Sequence, residues 1–286
     1  SRGPQVDDGQ ASAGTLEIPL VGPKGDKPAW IVDGQQRALA LSKCGQPDLA
    51  VPITAFVGDQ VALQRDQFLR INNTKPLPRG LITELLPEVS APLPSRMAAR
   101  QLPAAICEEL NRDDSSPFKG LIRRTSTSKE ARRGTVVSDN SVVKMIQESL
   151  STPTGCLFPY RNITTGETDM DGIWGVLTVY WSAVAETFPD AWGQPASQSR
   201  LMHGAGIRSM GRLMDKIMSN IDPLAPRALR TVRQELAHVE PVCRWTKGRW
   251  EELGDLKWNE VQNTPGHVRR LSNVLIRAYV EARRAA

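Results

Sequence analysis

Hydrophobic and polar positions change rhythm along this chain, and the change predicts two kinds of structure. Leu16, Ile18 and Leu20 alternate with Glu17 and Pro19, the period of a strand, and Pro19 restricts that strand to a sheet edge. Residues 29–32 form a short apolar run stopped by Asp33-Gly34. Residues 35–43 then have helical composition, with Ala38, Leu39 and Leu41 available for packing. A second β-branched and aromatic run at residues 51–57 closes at Gly58-Asp59, and residues 60–71 follow with a helical pattern that places Val61, Phe68 and Ile71 inward. The order strand, helix, strand, helix predicts an α/β unit. Residues 1–14, rich in Gly, Asp and Gln, show no apolar period and are expected to be a flexible lead-in.

Beyond Pro76 the pattern turns to helices punctuated by prolines. A short one is predicted at residues 81–86, and a longer one contains Leu102, Ile106 and Leu110, with Pro103 starting or kinking it. Residues 119–134 hold Lys119, Arg123, Arg124, Lys129, Arg132 and Arg133 among Ser and Thr, and read as an exposed connector. Ser138 or Asp139 can cap a helix through Leu150. Ile173, Val176, Leu177, Tyr180, Trp181, Val184 and Phe188 keep the 3.6-residue period of a helix central to a core. Met202, Met210, Leu213, Met214, Ile217 and Met218 form another stripe, read as packing with a partner surface as the alternative. Leu229, Val232 and Leu236 form a third, entered through Pro226 as a first-turn proline. The last helix is expected to take Thr264 as cap and Pro265 in its first turn, facing Val268, Leu271, Leu275 and Ala278 inward. The fold class is therefore α+β: an α/β unit over residues 15–134 and a mostly helical region over residues 135–286.

Length and composition agree with this division. The chain has 286 residues and 40% apolar composition, enough for roughly two domains at about 100–200 residues each. Its 36 basic against 31 acidic residues permit an anionic partner without demanding one. From Ala196 onward, however, 16 basic residues face 9 acidic ones, so the positive field belongs to the C-terminal third. No apolar run is long enough to span a bilayer. Cys44, Cys107, Cys156 and Cys243 share no metal-ligand or disulfide-framework spacing, which points to reduced, packed thiols and the cytoplasm, with no metal site. The chain begins at Ser1 with no charged-then-apolar leader, so no signal peptide is expected.

The most informative stretch is Asp33-Gly34-Gln35-Gln36-Arg37. Gly34 lets the backbone turn sharply out of the preceding run. The helix that follows exposes unpaired N–H groups in its first turn, where the helix dipole favours an anion. Gln35 and Gln36 carry amide donors, and Arg37 offers a planar fork able to hold two phosphate oxygens. Asp33 can orient that arginine or bind magnesium. The plainer alternative is a helix start whose arginine merely pairs with Asp33. Asn72 and Asn73, with Lys75 beside them, are further phosphate or metal-water ligands, or else Asn72 caps the turn leaving its helix. Gly22-Pro23-Lys24-Gly25-Asp26-Lys27 reads as a solvated basic turn, and the P-loop, Gly-x-Ser-x-Gly and His-Glu-x-x-His patterns are missing.

The motif at residues 33–37 resembles the signature of the DGQHR-domain family, with Gln36 where the family often has His. Phe68-Leu69-Arg70-Ile71-Asn72-Asn73-Thr74-Lys75-Pro76-Leu77 resembles the family's Phe-x-x-Ile-Asn segment. The resemblance implies a ParB/sulfiredoxin-like nucleotide-binding fold for the N-terminal unit. It also implies ATP, with Mg2+, bound and hydrolysed at the first motif: Asp33, Gln36 and Arg37 catalytic, and Gly34, Gln35, Arg37, Asn72, Asn73 and Lys75 holding the nucleotide. The glutamine form of the motif, with Thr264-Pro265-Gly266-His267-Val268-Arg269-Arg270, is closest to the DpdB-type members of islands that insert 7-deazaguanine into DNA. That subgroup implies DNA and a DpdA-like transglycosylase as partners, at no membrane, and possible DNA nicking activity. Two other functions stay open, a DndB-type DNA-binding transcriptional regulator and a restriction-system nuclease. Relative to the family this chain starts late, so part of the site contributed by an N-terminal basic region is expected to be absent. Gln36 in place of an imidazole leaves any hydrolysis to positioning and charge stabilisation.

DNA contacts are expected on the last helix, where Arg270, Arg277 and Arg284 recur every seven residues beside Arg269, staying in one stripe with about 20° of drift per step. Such a stripe neutralises backbone phosphates; a solvated face opposite a packed one is the alternative. Residues 119–133 are a candidate flexible arm. Trp245, Trp250 and Trp258, interleaved with Arg244, Lys247, Arg249 and Lys257, are either base-stacking platforms or core.

Overall fold

The computed structural model of the chain describes residues 29, 31, 33–46, 49–55, 64, 67, 84–88, 95–125, 127–128, 134–161 and 168–285. The chain divides into two compact units, Ser1–Lys75 and Pro76–Ala286. Across the described residues it mixes helices with four short strands.

In the first unit, helix α1 (Gln35–Lys43) forms where the composition predicts it, with Gly34 as N-cap and Cys44 as C-cap. None of its residues is buried; Ala38 and Leu41 are half-buried, whereas Leu39 is exposed. Residues 51–55, the described part of the second strand expected at 51–57, carry no strand, and Val51 and Ile53 stand exposed, as does Leu49 before them. Ala29 and Ile31 likewise lie outside any strand. The physical reason is that β-branched composition supplies propensity only, and a ladder needs a partner strand to accept its hydrogen bonds. Gln64 and Gln67 are helical, as predicted for residues 60–71.

The second unit is built around a continuous helical core. Helix α2 (Ser95–Arg112) runs through Pro103 without ending, although the proline removes one N–H from its ladder. Strand β1 (Ile122–Arg123) pairs in parallel with β2 (Val137–Ser138), placing Ile122 opposite Val137. Helix α3 (Asp139–Ser151) starts directly from β2 and packs on α2. The predicted exposed connector is thus only partly exposed. Ile122 is buried, and Arg124 is tied to Glu108 at 3.2 Å and approaches Glu84 at 4.0 Å, because the ladder draws the segment onto the core. Lys129, Arg132 and Arg133 lie outside the described residues.

Helix α4 (Met170–Thr187) starts at Asp169, whose carboxylate accepts from the Gly172 N–H at 2.9 Å, and packs on α6 (Ala228–Ala237). Its predicted stripe is buried, with Trp181 meeting Phe118 edge-on at 5.1 Å and Tyr180 at 5.4 Å. Helix α5 (Gly204–Ile217) is central: only Arg212, Asp215 and Lys216 escape burial. It packs on α3 and on α7 (Pro265–Ala285), and Tyr180 donates from α4 to the Met210 carbonyl of α5 at 2.8 Å. The methionine stripe is core packing, with Met202, Met210, Met214 and Met218 all buried.

Two details of α6 depart from the sequence pattern. Ala228 is buried in the place expected for Leu229, which is exposed, and Pro226 precedes the N-cap Arg227 instead of entering the first turn. A short hairpin, β3 (Arg249–Trp250) against antiparallel β4 (Leu256–Lys257), precedes α7. No helix among the described residues is long and apolar enough to cross a membrane.

Candidate functional site

The turn at residues 33–37 is built by Gly34, which adopts φ 85° and ψ 17°, a left-handed conformation that glycine enters without Cβ strain. Its carbonyl accepts from the Ala38 N–H at 2.9 Å and closes the first turn of α1. A Cβ at Gly34 would stand 3.1 Å from Arg37 Nη2, so the guanidinium lies directly over the turn. Gln35 donates its side-chain amide back to the Ile31 carbonyl at 2.9 Å. The N-cap glycine has no side chain with which to cap the helix start, and the first turn carries no acid.

Arg37 donates to Asp33 Oδ2 at 3.1 Å, with the two side chains 78% and 49% exposed. This is the plainer of the two sequence alternatives, and it sets the chemistry of the turn. An exposed i,i+4 pair is worth about 0.3–0.5 kcal/mol, small enough for a phosphate to displace the carboxylate. Arg37 would then offer its fork, and the backbone amides of Gln36 and Arg37 in the first turn would add donors. Asp33, released, is the turn's one carboxylate, and a single carboxylate with phosphate oxygens fits the coordination that Mg2+ accepts. Gln36 is exposed. Asn72, Asn73 and Lys75, expected beside this turn, lie outside the described residues.

In the second unit, α7 takes Thr264 at its start, where the Thr264 hydroxyl accepts from the His267 N–H at 3.4 Å. Val268, Leu271 and Leu275 face the core and Ala278 is half-buried. Arg269, Arg270, Arg277 and Arg284 all stand on the exposed side. Arg277 lies 3.8 Å from Glu252; among the described residues Arg269, Arg270 and Arg284 form no ion pair. The stripe is thus a solvated face with most of its charge uncompensated. Trp245 and Trp250 are not available for stacking: both are buried and pack against each other at 5.2 Å, with Phe188 against Trp245. Trp258 is half-buried.

The structure also assembles polar groups that the sequence pattern did not reveal. Glu148 of α3 holds two arginines of α5: Arg208, through Nε at 3.0 Å and through Nη2, and Arg212 at 3.1 Å. Arg208 reaches on to Asn263 at 3.1 Å. The partners lie some sixty residues apart in the chain, so no local spacing announces them. His203 caps α5 by accepting from the Ala205 N–H at 3.3 Å. Its pKa is pushed down to about 4, chiefly by burial and secondarily by Arg200. Burial raises the thiols of Cys107, Cys156 and Cys243 well above the usual range, leaving them poor nucleophiles. Among the described residues no group of three or more His, Cys, Asp or Glu side chains is placed to hold a metal ion. No protein-family model, curated protein or solved structure matches the chain.

Proposed function

We propose that the chain is the nucleotide-dependent component of a DNA-modification system, binding ATP at the turn formed by residues 33–37. In this reading the N-terminal unit is of the ParB/sulfiredoxin-like kind. The observation that carries it is the left-handed turn at Gly34, which opens α1 beneath an exposed, weakly held guanidinium. Arg37 and the first-turn amides bind phosphate, Asp33 holds Mg2+, and Gln36 orients the attacking water. Asn72, Asn73 and Lys75 complete the phosphate contacts, and the arginine face of α7 holds DNA backbone for a partner transglycosylase that exchanges the base. Mg2+ would neutralise charge on the transferred phosphoryl group. The Arg37→Ala protein is expected to lose ATP hydrolysis by at least a hundredfold in a phosphate-release assay while keeping its far-ultraviolet helical signal. Undiminished turnover would overturn the assignment.

One observation favours a second reading. The turn contains no imidazole and its arginine is already countered by Asp33, an arrangement suited to a DNA-binding regulator for which nucleotide is a ligand and not a substrate. Gel shifts in which ATP changes DNA affinity without phosphate release would select it.

A further inference from the structure

The second unit contains an open cleft of about 1170 Å³ between the end of α4, one face of α6 and the segment leading to β3. We propose that this cleft binds a small organic phosphate, a phosphate monoester carried on a compact body with hydrogen-bond donors, such as a nucleoside monophosphate. The proposal does not rest on nucleotide binding at the Gly34 turn.

The anchor is Arg244. Its Nη1 donates to the carbonyls of Pro241 and Cys243 at 2.8 and 2.9 Å, so the guanidinium is fixed before any ligand arrives. Gly248, at φ 86°, makes room for it, since a Cβ there would come within 2.8 Å of Arg244 Cδ. With Nη1 engaged, Nη2 and Nε remain to serve a phosphate. A pre-positioned fork loses less entropy on binding than a free one. Arg230 and Lys247 line the same cleft and stand exposed without an ion pair among the described residues. The fourth cation, Arg233, is occupied by Glu186 at 3.0 Å. Three available cations therefore converge on one cleft.

The remaining lining decides what carries the phosphate. Phe188, Ala191, Ala237 and Trp245 supply an apolar floor, and Asp190 and Glu240 are exposed acids of the lining. Those two carboxylates accept hydrogen bonds from a ligand's hydroxyl or amino groups, and they repel a polyanionic strand. The volume exceeds the upper end of typical small-ligand sites, about 300–1,000 Å³. A nucleic-acid backbone is disfavoured by the acids, and bare phosphate leaves the floor unfilled.

Titration calorimetry on the full chain tests this, with AMP, inorganic phosphate and a short oligonucleotide as probes. The Arg37→Ala background removes any contribution from the Gly34 turn. AMP is expected to bind there at least tenfold more tightly than inorganic phosphate. The pair Arg230→Gln and Lys247→Gln, both exposed and structurally unengaged, should weaken it at least tenfold; Arg244→Lys, which keeps charge but loses the fork, should weaken it similarly. AMP binding that vanishes in Arg37→Ala, that survives the Arg230/Lys247 pair unchanged, or that is outdone by the oligonucleotide would overturn the proposal.

Discussion

Helices α1 and α5 both begin at a glycine, Gly34 as the N-cap of one and Gly204 as the first residue of the other, and end in opposite circumstances: α1 has no buried residue, while α5 leaves only three residues outside the core. A nine-residue helix lies below the roughly 12–15 residues at which isolated helices become marginal; α1 is held at its start by the Gly34 turn and the short-range bonds of Gln35 and Arg37, with Ala38 and Leu41 half-buried. Tertiary packing holds α5. The lesson is that the segment with the most recognisable chemistry has none of its helical residues buried, which leaves its carboxylate–guanidinium pair open to solvent.

The largest test of that contrast is truncation of the core. Trp181→Ala should cost about 3–5 kcal/mol in denaturant unfolding, against less than about 0.5 kcal/mol for Leu39→Ala; comparable losses would mean that α1 is packed after all. Next comes Glu148→Gln, which strands Arg208 in the α3–α5 interface. A loss of about 2–3 kcal/mol is expected, below that of a fully buried pair, because Glu148 is 31% exposed.

A pH series sharpens the comparison further. In the folded chain the His203 pKa is about 4, against about 6.5 when unfolded. The unfolded chain therefore binds the extra proton between those values, and the His203 contribution to stability is lost as pH falls from about 6.5 towards 4. Asp139 and Asp215 act the other way, since burial raises both carboxyl groups and the folded state takes their protons first. His203→Asn, which keeps a capping acceptor, should flatten the acid-side loss relative to wild type; identical melting-temperature profiles would assign that loss elsewhere. The smallest effect belongs to Arg37→Ala, expected to change stability by only about 0.3–0.5 kcal/mol. A shift of several degrees in melting temperature would show the pair to be structural.

The helical half of the fold was legible because its signals are periodic and local. The stripe from Ile173 to Val184, the Thr264 start of α7 and the boundaries of α1 follow from side-chain spacing and turn chemistry. The strands were less so: residues 51–55 have the composition of a strand without a ladder, while the two-residue pairing of Ile122 with Val137 has almost no local signature. In the candidate site, the turn and its Arg37–Asp33 pair could be read from five consecutive residues. The Glu148–Arg208–Asn263 network could not, because its members meet only through the packing of α3, α5 and the segment before α7. The cleft at Arg244 was half visible. Arg244 and Lys247 stood out among the tryptophans while Arg230 did not, and the burial of Trp245 turned a stacking surface into part of a floor.

Asp215 accepts from the Ser149 hydroxyl and, at 3.0 Å, from the Cys156 N–H, fastening the loop after α3 to the central helix. The Cys156 thiol beside that fastening is buried. Alkylation kinetics thus divide the four cysteines into clocks of different speed: exposed Cys44 should react at once, and buried Cys107 and Cys156 only as the loops and helices around them open.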